Sequence, residues 1–148
     1  MDINDIKKLR EQTGAGVIDA KKALEEANGD YNKALEVLKE KGVQKAEKKS
    51  EREIKAGRVF SYIHANGVAG SLVKLGCETD FVAKNEEFEK LGKEIAMQVA
   101  SMNPETVEEL LAQDYIRDTS KTIKALITET IAKTGENITV EEVVSYKI

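Results

Sequence analysis

Three changes of hydrophobic period divide the chain. In residues 1–43 apolar side chains recur every three to four positions, the spacing that lines one face of an α-helix. Ile3, Ile6 and Leu9 form a first stripe behind Asp2, a good N-cap residue, and stop at "TGAG". Ile18, Ala23, Leu24 and Ala27 form a second, ended by "NGD". Tyr31, Ala34, Leu35 and Leu38 form a third, behind Asp30 and ahead of Gly42. These stripes have only one another to pack against, so a compact and separable three-helix module is expected over 1–43. Residues 44–56 fall within "VQKAEKKSEREIKAGR", which is polar on every side. A helix without an apolar stripe bridges domains through solvent, supported by pairs such as Glu51 with Lys55. A linker helix is the expectation there.

From Arg58 the period falls to two. "RVFSYIH" is rich in β-branched and aromatic residues, "ANG" carries an Asn-Gly turn signal, and "VAGSLVKLGC" reads as the returning strand of a hairpin. Helical spacing returns in "NEEFEKLGKEIAMQVASMNP", with Phe88, Leu91, Ile95 and Val99 on one face. It returns again at Ile123, Leu126, Ile127 and Ile131 before Gly135, while "PETVEELLAQDYIRDTSK" predicts a short helix near Pro104 and then a loop. The closing "NITVEEVVSYKI" reads as a strand that adds to the hairpin. The predicted fold is α+β, with residues 57–148 forming a core of one three-stranded antiparallel sheet packed against helices.

Composition narrows the function. With 148 residues, 41% hydrophobic and 34% charged, the chain is globular and long enough to bury a real core. No apolar run approaches the roughly 20 residues of a membrane-spanning helix, and "MDINDIKKLR" has acids where a secretion signal needs a basic and then apolar stretch, so a cytoplasmic protein is expected. The net charge of −4 disfavours nucleic acid as the main partner, because phosphates call for a basic face. The lysine-rich run lacks interleaved aromatics and has only a small positive excess, so it reads as a solvated helix rather than an RNA-binding arm.

Candidate chemistry is sparse. One cysteine and one histidine cannot build a structural zinc site, and no cofactor is expected. With the hairpin turn near His64, Cys77 lies opposite Lys55 or Ala56, roughly 20 Å or more from that histidine, too far for a nucleophile and base. No acid, base and nucleophile cluster emerges, so the chain is not expected to be an enzyme. "TGAG" before a helix could cradle an anion, but a lone glycine pair is weak support. "CETDFVAKN" is the unusual stretch. It spends one of only three phenylalanines, Phe81, in a polar connection. Either Phe81 packs on its own domain while Asp80 caps the next turn, or the ring is presented to a partner.

Two long strings, "LREQTGAGVIDAKKALEEANGDYNKALEVLKEKG" and "CETDFVAKNEEF", resemble the two signature regions of bacterial elongation factor Ts, in the same order and spacing. "AMQVASMNP" and "IAKTGENITV" resemble further parts of its core, so the likeness spans nearly the whole chain, as a short form of the family. The resemblance implies a guanine-nucleotide exchange factor for elongation factor Tu, with an N-terminal module similar to a ubiquitin-associated domain. It implies that Thr79, Asp80, Phe81 and Val82 form the loop that enters the GTPase beside its magnesium and nucleotide site, with Phe81 as a wedge between two helices. It assigns Arg10, Thr13, Gly14, Val17 and Ile18 to a second contact with the same partner. The second apolar stripe does not need both Val17 and Ile18, so one exposed side chain is expected there, with core packing as the alternative. The sequence departs from the family's pattern at Lys74, Gly76, Glu141 and Glu142. Long members have a two-lobed core where this chain has residues for one lobe, which raises a homodimer through the core, with a monomer as the alternative. The rival reading is a ubiquitin-like-binding adaptor without exchange activity.

Overall fold

The computed structural model describes residues 2–148. Helix α1, Ile3–Thr13, begins where Asp2 accepts a hydrogen bond from the Asn4 amide at 2.8 Å and ends at Gly14, whose φ of 73° is the left-handed cap. Helix α2 spans Val17–Glu26 and α3 spans Tyr31–Lys49. Their shared core is Leu9, Ala20, Ala23, Leu24, Ala34 and Leu38. Two members of the predicted stripes, Ile3 and Ile18, stand outside it and are exposed.

The predicted stop at Gly42 does not occur. Helix α3 runs through it as far as Lys49, so only residues 44–49 of the expected linker helix are helical, as the end of the third helix, and residues 50–55 are turn and extended chain. A helical glycine costs about 1 kcal/mol relative to alanine, and packing offsets that cost here. Gly42 passes close to Thr128, and Ala46 packs against the large core. The segment therefore lies on the core instead of crossing solvent.

Strands β1 (Ala56–Ile63), β2 (Ala69–Cys77) and β3 (Thr139–Lys147) form one antiparallel sheet in the order β1-β2-β3. The hairpin loop is wider than a two-residue turn, with the His64 amide donating to Ala69 at 2.9 Å and Gly67 in the left-handed region. Between β2 and β3 lie α4 (Asp80–Ala83), α5 (Glu86–Met102), α6 (Val107–Ala112) and α7 (Ile123–Thr134). Helix α5 covers one face of the sheet, burying Phe88, Leu91, Ile95 and Val99 against Phe60, Val73 and Leu75. The Ser71 hydroxyl donates to the Ala96 carbonyl at 2.6 Å and fixes the register of helix on sheet. Helix α7 closes the core with Ile123, Ile127 and Ile131.

The departures from the family pattern pair off in space. Lys74 and Glu142 are directly opposite each other on β2 and β3, where unlike charges are favourable. The register then slips at Lys74/Leu75, leaving Glu141 as the extra residue of a bulge. A side chain at Gly76 would collide with Glu141 and Ile54, so the glycine makes the room that Glu141 occupies.

Candidate functional site

The stretch that stood out in the sequence folds as a single helical turn. Strand β2 ends at Cys77, and Thr79 caps α4 by accepting a hydrogen bond from the Val82 amide at 3.3 Å. The cap is Thr79 rather than Asp80, whose place in the first turn puts a negative charge at the positive end of the helix. Successive helical residues diverge by about 100°, so a turn that buries one adjacent pair must expose the other. Val82 (8% exposed) and Ala83 enter the large core, whereas Asp80 and Phe81 point outward. Phe81 is 89% exposed. Own-domain packing of this ring, one of the two readings of the sequence, is therefore overturned.

The turn is braced on both sides. The Arg58 guanidinium donates to the Ala83 carbonyl at 3.4 Å while lying 4.9 Å from the centre of the Phe60 ring. The Glu136 carboxylate accepts from the amides of Glu78 (3.0 Å) and Thr79 (2.9 Å) and from the Thr79 hydroxyl (2.6 Å). Behind the turn, the Cys77 thiol donates to the Thr79 carbonyl at 3.3 Å. Burial, reinforced by the charge of Glu136, raises the Cys77 pKa to about 11, so it is a neutral packing group at physiological pH. Among the described residues no group of acidic, histidine or cysteine side chains could hold a metal ion, and no helix is long and apolar enough to cross a membrane.

The residues proposed for the second contact divide in two. Val17 (51%) and Ile18 (70%) are both exposed at the start of α2, where one was expected, and Arg10 is exposed on α1 with its Nε directed at the Ala15 carbonyl. Thr13 is buried, donating its hydroxyl to the Leu9 carbonyl and accepting from the Ala15 amide, so it shapes the bend. Gly14 lies in an internal seam. A side chain there would fall 2.7 Å from Lys133 Cγ and 2.9 Å from the Lys133 backbone nitrogen. The last turn of α7 thus meets Gly14, and Glu136 just beyond it holds Thr79, so both candidate surfaces are anchored on one segment.

Proteins of one family are similar in sequence to nearly the whole chain. Elongation factor Ts from Thermotoga sp. (strain RQ2) is 42% identical, over 97% of this chain and 94% of its own length. That from Leptospira biflexa is 44% identical over 91% of each, and that from Thermodesulfovibrio yellowstonii 39% over 97% and 94%. This chain belongs to the elongation factor Ts family. A family profile described as elongation factor TS matches residues 78–148, which begin at the edge of the Phe81 turn. The Thermotoga alignment runs over 186 positions against a chain of 148 residues, so that member of the family carries internal residues with no counterpart here. Hydrophobic periodicity pointed to none of Glu78, Glu136, Asn137 or Arg52. The local signals were the unusual stretch "CETDFVAKN", which contains Glu78, and the short connection "GEN" between the α7 stop and the last strand.

Proposed function

We propose that this protein is a guanine-nucleotide exchange factor for elongation factor Tu and that the Thr79–Val82 turn is the element that disturbs the nucleotide site. The observation that carries the reading is Phe81, a fully presented ring on a turn whose neighbours Val82 and Ala83 are locked in the core. An exposed flexible ring would lose much of its binding energy in being ordered; a pre-ordered one keeps it. In a GTPase, magnesium bridges the phosphates and is held by a few oxygens, so a ring wedged between the supporting helices loosens nucleotide without any covalent step. A protein that binds the empty GTPase more tightly than the loaded one weakens nucleotide binding by the same factor. Asp80, exposed beside Phe81, adds a negative charge at that point. Arg10, Val17 and Ile18 supply a second foothold on the same partner.

Release of a fluorescent GDP from elongation factor Tu tests this directly. Substoichiometric protein should accelerate release catalytically. The adaptor reading also uses the exposed Val17 and Ile18, but it gives binding without acceleration, and that result would overturn the proposal.

A further inference from the structure

We propose that Glu136 is a positioning residue for exchange, which aims Phe81 by holding Thr79 and couples the Phe81 turn to the end of α3; this rests on the exchange reading above. The amides of Glu78 and Thr79 lie past the end of β2 and before the first turn of α4, so neither sheet nor helix supplies them a partner. Glu136 supplies both with one oxygen, at 3.0 and 2.9 Å. Its other oxygen accepts a hydrogen bond from the Thr79 hydroxyl at 2.6 Å, which leaves that hydroxyl's lone pairs free to cap the Val82 amide. The direction of α4, and with it that of the Phe81 ring, is set by this carboxylate.

The exchange of hydrogen bonds is reciprocal. Glu78 Oε2 accepts from the Asn137 amide at 2.6 Å, with Arg52 Nη1 at 3.6 Å. The buried Asn137 side chain in turn donates to the carbonyls of Ser50 (3.3 Å) and Arg52 (3.0 Å), the first residues after α3. A continuous hydrogen-bonded path therefore runs from the end of the long helix to the turn that carries Phe81. Breaking it leaves the ring in place but unaimed, and ordering it on the partner then costs binding energy.

Four proteins test this: Glu136→Ala, Glu136→Gln, Phe81→Ala and the double variant Glu136→Ala/Phe81→Ala. In Glu136→Ala, amide hydrogen exchange at Glu78 and Thr79 should accelerate by at least about tenfold while the core amides of Val73 and Leu75 keep their protection. Stimulated GDP release should fall by about fivefold or more. Glu136→Gln should lose less, because its carbonyl still accepts from both amides and only the hydroxyl's acceptor is changed. In the Phe81→Ala background, Glu136→Ala should cost less than about twofold, since there is no ring left to aim. Unchanged exchange at Glu78 and Thr79, or losses that multiply in the double variant, would overturn the inference. If Glu136→Ala loses core protection, Glu136→Gln is judged on release alone: a loss of stimulated release that disappears in the Phe81→Ala background is expected, and an equal loss in both backgrounds would overturn the inference. Failure of the exchange reading is separately visible as a Phe81→Ala protein that stimulates release as well as the parent, and the amide measurement, which needs no partner, still decides the clamp.

Discussion

At the scale of single residues, Phe81 and Cys77 sit on opposite sides of one turn and should respond to substitution in opposite ways. Phe81→Ala removes a ring that touches solvent, so no core cavity forms and the melting temperature should stay within a few degrees. Interface aromatics cost on the order of 2 to 4 kcal/mol of binding when cut to alanine, a loss of roughly 30- to 1000-fold. Stimulated GDP release should accordingly fall by at least about tenfold, and Asp80→Ala should lower it less. A large drop in melting temperature with release intact would contradict this placement. Cys77 is fully buried, and its pKa is raised from 9.0 to about 11, first by burial and then by Glu136. The folded state therefore favours the neutral thiol. Its contribution to stability is complete below pH 9 and is lost as the pH climbs toward 11. At pH 8 the native thiol should react with iodoacetamide about a hundredfold or more slowly than in the unfolded chain, because only the thiolate is the nucleophile. Equal rates in the two states would contradict it. The inward or outward aim of Phe81 could not be read from the sequence, since a four-residue helix is too short to display a period. What could be read was the oddity of its position.

At the scale of elements, the strands, the hairpin and helices α5 and α7 were legible because each carries large apolar side chains at its own period, even where a glycine falls inside the element, as Gly92 does in α5. The continuation of α3 was not legible, for a physical reason. Its contact with the core uses Ala46 and Gly42, small groups among many lysines and glutamates, so charge masked a real packing face. Gly14 was assigned to a partner contact in the sequence, whereas the structure places it where the first helix meets α7. Gly14→Ala tests how much that seam matters. The left-handed backbone alone costs about 1 to 2 kcal/mol with a β-carbon, and the new atom would meet the backbone of Lys133 at 2.9 Å, which cannot yield as a flexible side chain would. A fall in thermal stability corresponding to more than about 2 kcal/mol is expected from the two effects together. It should be accompanied by faster amide exchange in α1 and at the α7 C-terminus, with the sheet unaffected. A variant as stable as the parent would mean that the close approach relaxes freely.

At the scale of the whole molecule, the sheet has a covered face and an open one. Helix α5 lies on the first; the second presents Val59, Ile63, Leu72, Val144 and Tyr146, all exposed. Leu72 is central, with Ser61 and Val144 as its register partners on the two sides and 49% of its surface exposed. Exposed apolar side chains gathered on one face in this way mark an interaction site. A second copy of the chain fits it on two grounds. A sheet face packs well on another like it, about 10 Å apart and rotated by about 30°. Lys74 and Glu142, paired across β2 and β3, also give the face one charge of each sign, so a twofold-related copy can meet opposite charges with the same two residues. We therefore expect a homodimer through the outer face of the core sheet, the quaternary state raised by a single-lobed core. Light scattering at micromolar concentration should return about twice the chain mass of 16.4 kDa. Leu72→Asp, which puts a charge at the centre of the face without entering the core, should return the single-chain mass while leaving the far-ultraviolet circular dichroism unchanged. A parent protein that runs at 16.4 kDa across the micromolar range would exclude the dimer and leave this face for a different partner. A dimer that survives Leu72→Asp would move the interface to another part of the molecule.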